Sequence, residues 1–215
     1  MPAKPKPRST RSPPSPVRAR ILQQAREYLF ARGCNSLTMA ELATELGMSK
    51  KTLYVHFAGK EPLLREVILE FGQEVRAGAE IILRDPTLSF AEKLHRFAES
   101  MIERLSHLNP HLIRDLQRYA PELHRLTEQV RRENIPFIFG RLIREGQRAG
   151  MVRAEVNPLF ATEFLLHAMQ GLHLPASLQR LHLVPQEVFR QAINLFFGGL
   201  LTPAGRKDYE KLFPR

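Results

Sequence analysis

Two short amphipathic helices, separated by only a few residues, are the feature of this sequence that most constrains its fold. The apolar residues of the first recur at i, i+3, i+4 and i+7, after Thr38: Met39, Leu42, Ala43 and Leu46. Gly47 is suited to end that helix, and Ser49 is suited to begin the next one as its N-cap. A helix, a tight turn and a second helix form the helix-turn-helix arrangement of many DNA-binding proteins.

The second helix of the pair has two chemically different faces. At about 100° per residue, Leu53 and Phe57 face the preceding helices. Lysine and tyrosine side chains can reach phosphates, and threonine and valine can touch base edges or thymine methyl groups. On this helix these side chains lie on the opposite arc, which could enter a major groove and carries Lys50 at its edge and then Lys51, Thr52, Tyr54 and Val55. The spacing alone fits a short solvated helix of an α-helical bundle equally well.

Positive charge is concentrated in the first part of the chain. The 215 residues have a net charge of +10. Residues 1–60 hold 11 basic and three acidic residues, so they contribute +8 and the remainder only +2. This imbalance predicts a polyanionic partner for the N-terminal part, and together with the helix-turn-helix arrangement it makes double-stranded DNA the expected partner. A solubilising basic tail is the alternative that charge alone leaves open.

The apolar periodicity of the whole chain predicts an all-α fold. No segment alternates convincingly at a period of two, whereas helical spacing recurs throughout. We expect a disordered basic tail at residues 1–15, because prolines, serines and cations leave few apolar groups to bury. A three-helix helix-turn-helix DNA-binding domain should follow at 16–60, a larger helical ligand-binding and dimerisation domain at 61–203, and a C-terminal tail at 204–215.

Proline- and glycine-containing breaks divide the larger domain into helical segments. Pro136 lies within one of these segments and is expected to kink or interrupt it. The main predicted helical segments are 60–82, 89–108, 121–148, 158–181 and 185–200.

Composition argues against several other classes of protein. The single cysteine, Cys34, cannot form an internal disulfide, which favours a reducing cytoplasm. The longest apolar run, 193–201, is too short to span a bilayer, so no membrane partner is predicted. His107 and His111 are four apart but are separated by Pro110, so neither a metal nor a cofactor is predicted. No nucleophile–base set is visible, so the chain is not predicted to be an enzyme.

The segment "SLTMAELATELGMSKKTLYVHFAGKEPLL" resembles the N-terminal domain of the tetracycline-repressor-like (TetR) family of bacterial transcription regulators. The resemblance covers about residues 17–65, and the remainder agrees with the family only in its helical architecture. The matching positions are Thr38, the Leu42–Ala43 pair, Gly47, Ser49, the run "TLYVHF" and Lys60.

The resemblance implies a DNA-contacting role for individual residues. Thr38 would cap its helix and meet a phosphate, and Lys50, Lys51 and Thr52 would begin the helix that reads bases. Ala40 stands where family members often carry a polar reader, and it can offer only a methyl contact. The residues that would contact further phosphates are Tyr54, His56 and Lys60.

The resemblance also implies a small-molecule site in the larger domain. Candidate lining residues lie on its apolar stripes, although each of them could equally be ordinary core: Phe97, Met101, Tyr119, Phe137, Phe164 and His167. Arg118 and Gln170 could orient a polar group of the ligand.

Two segments of the larger domain are apolar on more than one face, which predicts a homodimer. Residues 158–174 and 188–201 carry more apolar surface than one helical stripe requires. Gly198 and Gly199 would allow two helices to approach closely. The candidate interface residues are Phe160, Met169, Phe189, Ile193, Phe196 and Phe197.

These patterns and the family resemblance together predict a homodimeric repressor that binds a pseudo-palindromic operator, and the resemblance implies its release by an unidentified small-molecule inducer. A sequence-independent architectural DNA binder is one alternative, and a helical enzyme or chaperone-like binder unrelated to DNA is another. Basic residues of the first twenty are further candidates for contacts with phosphates or the adjacent minor groove: Lys4, Lys6, Arg8, Arg11, Arg18 and Arg20.

Overall fold

The computed structural model describes residues 15–212, and these residues form eleven α-helices without a named strand. The all-α prediction is therefore confirmed. The predicted basic tail, apart from Ser15, lies outside the described residues. The helices are α1 (Pro16–Arg32), α2 (Met39–Glu45), α3 (Lys50–His56), α4 (Lys60–Arg84), α5 (Phe90–Ser106), α6 (Leu112–Tyr119), α7 (Pro121–Arg148), α8 (Pro158–Leu172), α9 (Pro175–Leu181), α10 (Pro185–Leu200) and α11 (Pro203–Leu212).

Side-chain caps determine where the first three helices begin. Ser15 Oγ accepts a hydrogen bond from the Arg18 backbone N–H, and Ser49 Oγ accepts one from the Thr52 N–H at 3.0 Å. Thr38 Oγ1 accepts one from the Glu41 N–H at 3.2 Å. Each cap satisfies a donor that the first turn of a helix leaves unpaired. The caps at Thr38 and Ser49 agree with the sequence prediction.

Two hydrophobic cores organise the chain. The first core joins α1, α2 and α3 to the first half of α4, and it also includes buried leucines of α6 and of the start of α7. The second core joins the second half of α4 to α5, α7, α8, α10 and α11. Helix α4 thus runs through both cores, so it connects the N-terminal helices mechanically to the larger part of the molecule.

Helix α7 is continuous although Pro136 lies inside it. Proline removes one backbone hydrogen bond and was expected to kink or interrupt this helix. The helix is not interrupted, and the residues just beyond the proline are buried in the second core, among them Ile138, Phe139 and Leu142. Burial of these side chains offsets the lost hydrogen bond.

The predicted single helix over 158–181 is wrong. Helix α8 ends at Leu172, and α9 begins at Pro175 after a two-residue break. Proline at the first position of a helix has the right φ angle and needs no donor, but it disfavours helical geometry at the residue before it. Leu174 accordingly has extended backbone angles.

The segment predicted as a C-terminal tail contains a packed helix instead. Tyr209 of α11 is buried, and its hydroxyl donates to Asn194 Oδ1 at 2.5 Å. A Cβ atom at Gly205 would lie only 2.2 Å from the Met151 carbonyl oxygen, so only glycine permits this approach. None of the helices within residues 15–212 is both long and apolar enough to cross a bilayer.

Candidate nucleic-acid interface and ligand cavity

Helix α3 presents the two faces that its sequence predicts. Leu53 is fully buried in the first core and Phe57, just after the helix, is 3% exposed. The opposite face consists of exposed side chains, and Tyr54 and Val55 are 50% and 76% exposed. We call this face the outward arc; it comprises Lys50, Lys51, Thr52, Tyr54 and Val55.

The remaining candidate DNA contacts lie on the elements that flank α3. Thr38 is exposed, and its hydroxyl also donates to the Glu41 carboxylate at 2.7 Å. Ala40 in α2, His56 at the end of α3 and Lys60 at the start of α4 are partly exposed. The candidate contacts thus include residues at the N-terminal ends of α2, α3 and α4, and helix N-termini favour phosphate.

The lysines of this surface carry charge that no neighbour within residues 15–212 neutralises. Among the described residues, no carboxylate forms an ion pair with Lys50, Lys51 or Lys60. An exposed, unpaired cation retains its counterions until a polyanion displaces them. The surface around α3 is therefore electrostatically suited to a phosphate backbone.

Arg18 has a different role from the one that its place in the basic N-terminal segment indicates. Its Nη2 donates to both carboxylate oxygens of Glu66, at 2.5 and 2.6 Å, and its Nη1 donates to the His56 carbonyl at 3.3 Å. The guanidinium also lies 4.1 Å from the centroid of the Phe57 ring. Arg18 therefore ties α1 to the end of α3 and to α4, and it is not free for a phosphate.

A mainly apolar cavity of about 170 Å³ lies between seven helices. Leu29 and Phe30 of α1 and Phe71 of α4 form part of its wall, and Phe97 and Met101 of α5 form another part. The cavity therefore touches both the helices that support α3 and the helices of the second core.

Four polar residues interrupt the apolar wall, and we call them the polar cluster: Thr127, Arg131, Asn134 and His173. The first three lie at i, i+4 and i+7 and so share one face of α7. Arg131 Nη1 donates to Glu128 Oε1 at 2.7 Å. Burial and the nearby charge of Arg131 lower the pKa of His173 to about 4, so its imidazole is neutral at pH 7.

The structure brings only part of the predicted ligand set to this cavity. Phe97 and Met101 line it, whereas the other six residues lie elsewhere. Phe137 packs beneath the guanidinium of Arg76, whose Cζ is 3.7 Å from the ring centroid. Those not lining the cavity are Arg118, Tyr119, Phe137, Phe164, His167 and Gln170, of which Phe137 and Gln170 are partly buried and the other four are exposed.

The sequence prediction missed the walls supplied by α1 and α4 and the polar cluster. One signal for the cluster was available, because Thr127, Arg131 and Asn134 share the face of α7 on which apolar Val130 and Ile138 also lie. The contribution of α1 carried no such signal, since Leu29 and Phe30 read as ordinary core residues of the helix-turn-helix domain.

Most of the predicted dimer residues lie inside the protomer. Phe160 is 71% exposed, but the other five belong to the second core: Met169, Phe189, Ile193, Phe196 and Phe197. These five side chains are not available for an interface. The exposed apolar residues of α8 and α10 are instead Leu159, Phe160, Phe164 and Leu195.

Comparison with known proteins agrees with the geometry of the N-terminal helices. The family model for bacterial regulatory proteins of the tetR family matches residues 21–67. The transcriptional repressor DhaR of Mycobacterium sp. strain GP1 is 24% identical over 193 residues, which cover 87% of this chain and 93% of DhaR. The transcriptional regulator UidR of Escherichia coli K12 is 26% identical over 196 residues, which cover 87% of this chain and 94% of UidR.

The similarity extends to the three-dimensional fold. The solved structure of the fatty acid degradation regulator FadR from Bacillus halodurans superimposes with a TM-score of 0.67 at 17% identity, over 88% of this chain and 98% of FadR. The matched segment contains α2, α3 and the turn between them, and the relatives align over most of the length beyond it. Residues 21–67 therefore match the tetR family of bacterial regulatory proteins, and most of the chain is similar to transcriptional regulators.

Proposed function

We propose that this regulator is a homodimeric repressor, and that a small molecule entering the cavity releases it from a two-fold operator. One observation carries the proposal: the cavity wall includes α1 and α4, the helices that hold α3 in place. A ligand there would contact the support of the DNA-reading helix directly. Its binding energy can therefore shift the position of that helix, provided that the ligand favours one arrangement over the other.

The link from α4 to α3 consists of packing and one ion pair. Leu53 and Phe57 share the first core with Leu63 and Leu64 of α4. The Arg18 guanidinium joins Glu66 of α4 to the His56 carbonyl at the end of α3. A tilt of α4 would therefore move α3 with it, and the spacing between two copies of α3 in a dimer would change.

Helix α4 also has an identifiable crossing point with α7. A Cβ atom at Gly72 would lie 2.4 Å from Val130 Cγ1, and Asn134 Nδ2 donates to the Gly72 carbonyl at 2.8 Å. Both Gly72 and Val130 line the cavity. A ligand that widens the cavity would press on this close crossing, which makes it the natural pivot for α4.

The exposed apolar residues of α8 and α10 support the proposed dimer. Leu159, Phe160, Phe164 and Leu195 are each more than half exposed in the protomer. A two-fold operator requires a two-fold protein, and apolar side chains at its interface would be buried in both copies. We propose a four-helix interface formed by α8 and α10 of each protomer, through these faces.

The name of DhaR supports the negative sign of regulation, since that relative is described as a repressor. For this chain, repression would follow from occupation of an operator that overlaps a promoter. A small molecule that releases the regulator from this operator would then relieve the repression.

Selection of bound duplexes from a random DNA pool tests the proposal most directly. We expect an enriched pseudo-palindrome whose half-sites are related by the two-fold axis of the dimer, bound at least about 1,000-fold more tightly than random DNA. Equal affinity for selected and random DNA would favour the architectural alternative. Absence of DNA binding at moderate salt would exclude both.

A further inference from the structure

The polar cluster supplies hydrogen-bond donors at one place in an otherwise apolar wall. Thr127 Oγ1 already donates to the Leu123 carbonyl at 3.0 Å, and Asn134 Nδ2 donates to the Gly72 carbonyl. The His173 Nδ1 lies 2.8 Å from the Met169 carbonyl oxygen, which suits an Nδ1–H donor. Arg131 has five N–H groups, and Glu128 accepts from only one of its nitrogens. The group best placed to bind a ligand is therefore the Arg131 guanidinium, and its partner must be an acceptor.

The charges around the cluster cancel. The Glu128 carboxylate balances Arg131, and the two remaining members on α7 are uncharged. His173 is neutral at pH 7, and burial also lowers the pKa of His124, one turn before Glu128. A carboxylate ligand would bring an unbalanced negative charge into an apolar cavity, which is costly. An uncharged acceptor would gain the hydrogen bond without that cost.

The size of the cavity limits the ligand. Its volume of about 170 Å³ is close to that of an engineered apolar cavity in another protein, roughly 150 Å³, which holds one benzene molecule. Aromatic and aliphatic side chains surround this space, including Phe71, Phe97 and Phe139. The body of the ligand should therefore be apolar and about as large as one ring.

We infer that the ligand is a small uncharged molecule with an apolar body of about one ring and a carbonyl-type oxygen that accepts a hydrogen bond from Arg131. This inference rests on the proposed ligand response and names the chemical class that the site would take. Arg131 would then determine specificity, while the apolar wall would supply most of the affinity.

Three probes of similar shape test this assignment on the full chain without DNA. Acetophenone carries a carbonyl, benzoate carries an anion, and ethylbenzene carries neither. By isothermal titration calorimetry at pH 7.5, we expect acetophenone to bind at least tenfold more tightly than the other two. Tightest binding by benzoate would overturn the assignment. So would equal affinity for ethylbenzene and acetophenone, or no binding by any probe up to its solubility limit.

Variants of the ion pair test the role of charge. Arg131→Met should weaken the binding of acetophenone about tenfold and leave the affinity for ethylbenzene unchanged. Glu128→Gln removes the balancing carboxylate, so the affinity for benzoate should rise about tenfold relative to the affinity for acetophenone. Arg132→Gln, at the exposed neighbouring position, is the matched control and should change neither affinity. A Glu128→Gln variant with unchanged preference would overturn the charge argument.

Arg131→Met leaves the Glu128 carboxylate without its partner and could prevent folding. The double variant Glu128→Gln/Arg131→Met removes both charges together and should bind ethylbenzene normally while losing the preference for acetophenone. A retained preference in this variant would overturn the assignment to Arg131.

Operator release, measured separately by fluorescence anisotropy, distinguishes this inference from the proposed function. Binding of acetophenone without release of DNA would contradict the ligand response and support the ligand class. Specific DNA binding combined with no probe binding would contradict the ligand class and leave the DNA-binding function standing.

Discussion

The outward arc of α3 and the polar cluster of the cavity both contain cations, but the two environments give these charges opposite properties. Lys50 and Lys51 are exposed and form no ion pair with a described residue. Arg131 is mostly buried and is neutralised by Glu128 at 2.7 Å. The first arrangement suits a polyanion at the surface, and the second suits directional hydrogen bonding to an uncharged molecule. Charge type alone therefore does not identify a partner, because burial and pairing decide what the charge can bind.

The two regions also differ in how many parts of the chain they require. The five residues of the outward arc lie within six consecutive positions of one helix, and their orientation follows from Leu53 and Phe57. The cavity wall combines residues from Leu29 to Phe189, on seven helices. Substitutions on the outward arc should therefore change DNA binding alone, whereas those around the cavity should change stability as well.

The largest expected effect separates buried from exposed phenylalanines of α8 and α10. Phe197→Glu should prevent stable folding, because Phe197 is fully buried and the new carboxylate would be unpaired. Phe164→Glu should leave the protomer folded and raise the dimer dissociation constant about 100-fold, since two apolar contacts are lost per dimer. Circular dichroism and sedimentation equilibrium measure the two outcomes. If the Phe197→Glu variant were folded but monomeric, the dimer interface would lie on the face of α10 that carries Phe197.

The next prediction compares the two faces of α3. Leu53→Ala should lower the free energy of unfolding by about 2–5 kcal/mol, because it opens a cavity in the first core. Val55→Ala, at a side chain 76% exposed, should change it by less than about 0.5 kcal/mol. Urea titration of both variants measures the difference. Similar losses would show that the exposed arc of α3 contributes to the core.

A pH-dependent prediction concerns the cavity. His173 has a pKa of about 4 in the folded protein and an ordinary value near 6.5 in the unfolded chain. The unfolded state therefore binds more protons between these values, so the stabilisation is complete above about pH 6.5 and is lost as pH falls towards 4. This group should account for about 2 kcal/mol of the stability lost between pH 7 and pH 5.

The matched variant His173→Gln tests this assignment by urea unfolding at both pH values. It should show a smaller loss of stability between pH 7 and pH 5, because glutamine does not titrate and the contribution of His173 is removed. The same pH dependence in both proteins would show that folding does not lower the pKa of His173.

The smallest expected effect distinguishes a DNA-contacting cation from an internal one. Lys60→Ala should flatten the slope of log affinity against log salt by about 0.9, because one phosphate contact is lost. Arg18→Ala should weaken operator binding without altering that slope, since Arg18 bonds to Glu66 and His56 rather than to DNA. Fluorescence anisotropy over a range of salt concentrations measures both. A flattened slope for Arg18→Ala would place its guanidinium at a phosphate.

The buried and exposed faces of α3 were predictable residue by residue, and the lining of the cavity was not. The caps at Ser15, Thr38 and Ser49 each accept from a backbone N–H only three residues further along the chain, so local sequence indicates them. Tyr119 and Phe164 lie on apolar stripes and were expected at the cavity, yet both are exposed. An apolar stripe shows that a face can be buried, but not which neighbour buries it.

The sequence by itself determined the all-α class, the helix-turn-helix, the inward and outward faces of α3 and the breaks that separate most helices. These features depend on local hydrogen bonds and on the 3.6-residue period, which any window of the chain displays. Tertiary structure alone decided that Phe196 and Phe197 are core, that Leu195 is exposed, and that Arg131 lines one cavity together with residues of α1 and α4. The physical reason is that a helix with two apolar faces is compatible with several packings. The lowest free energy among them depends on the shapes of all the helices together.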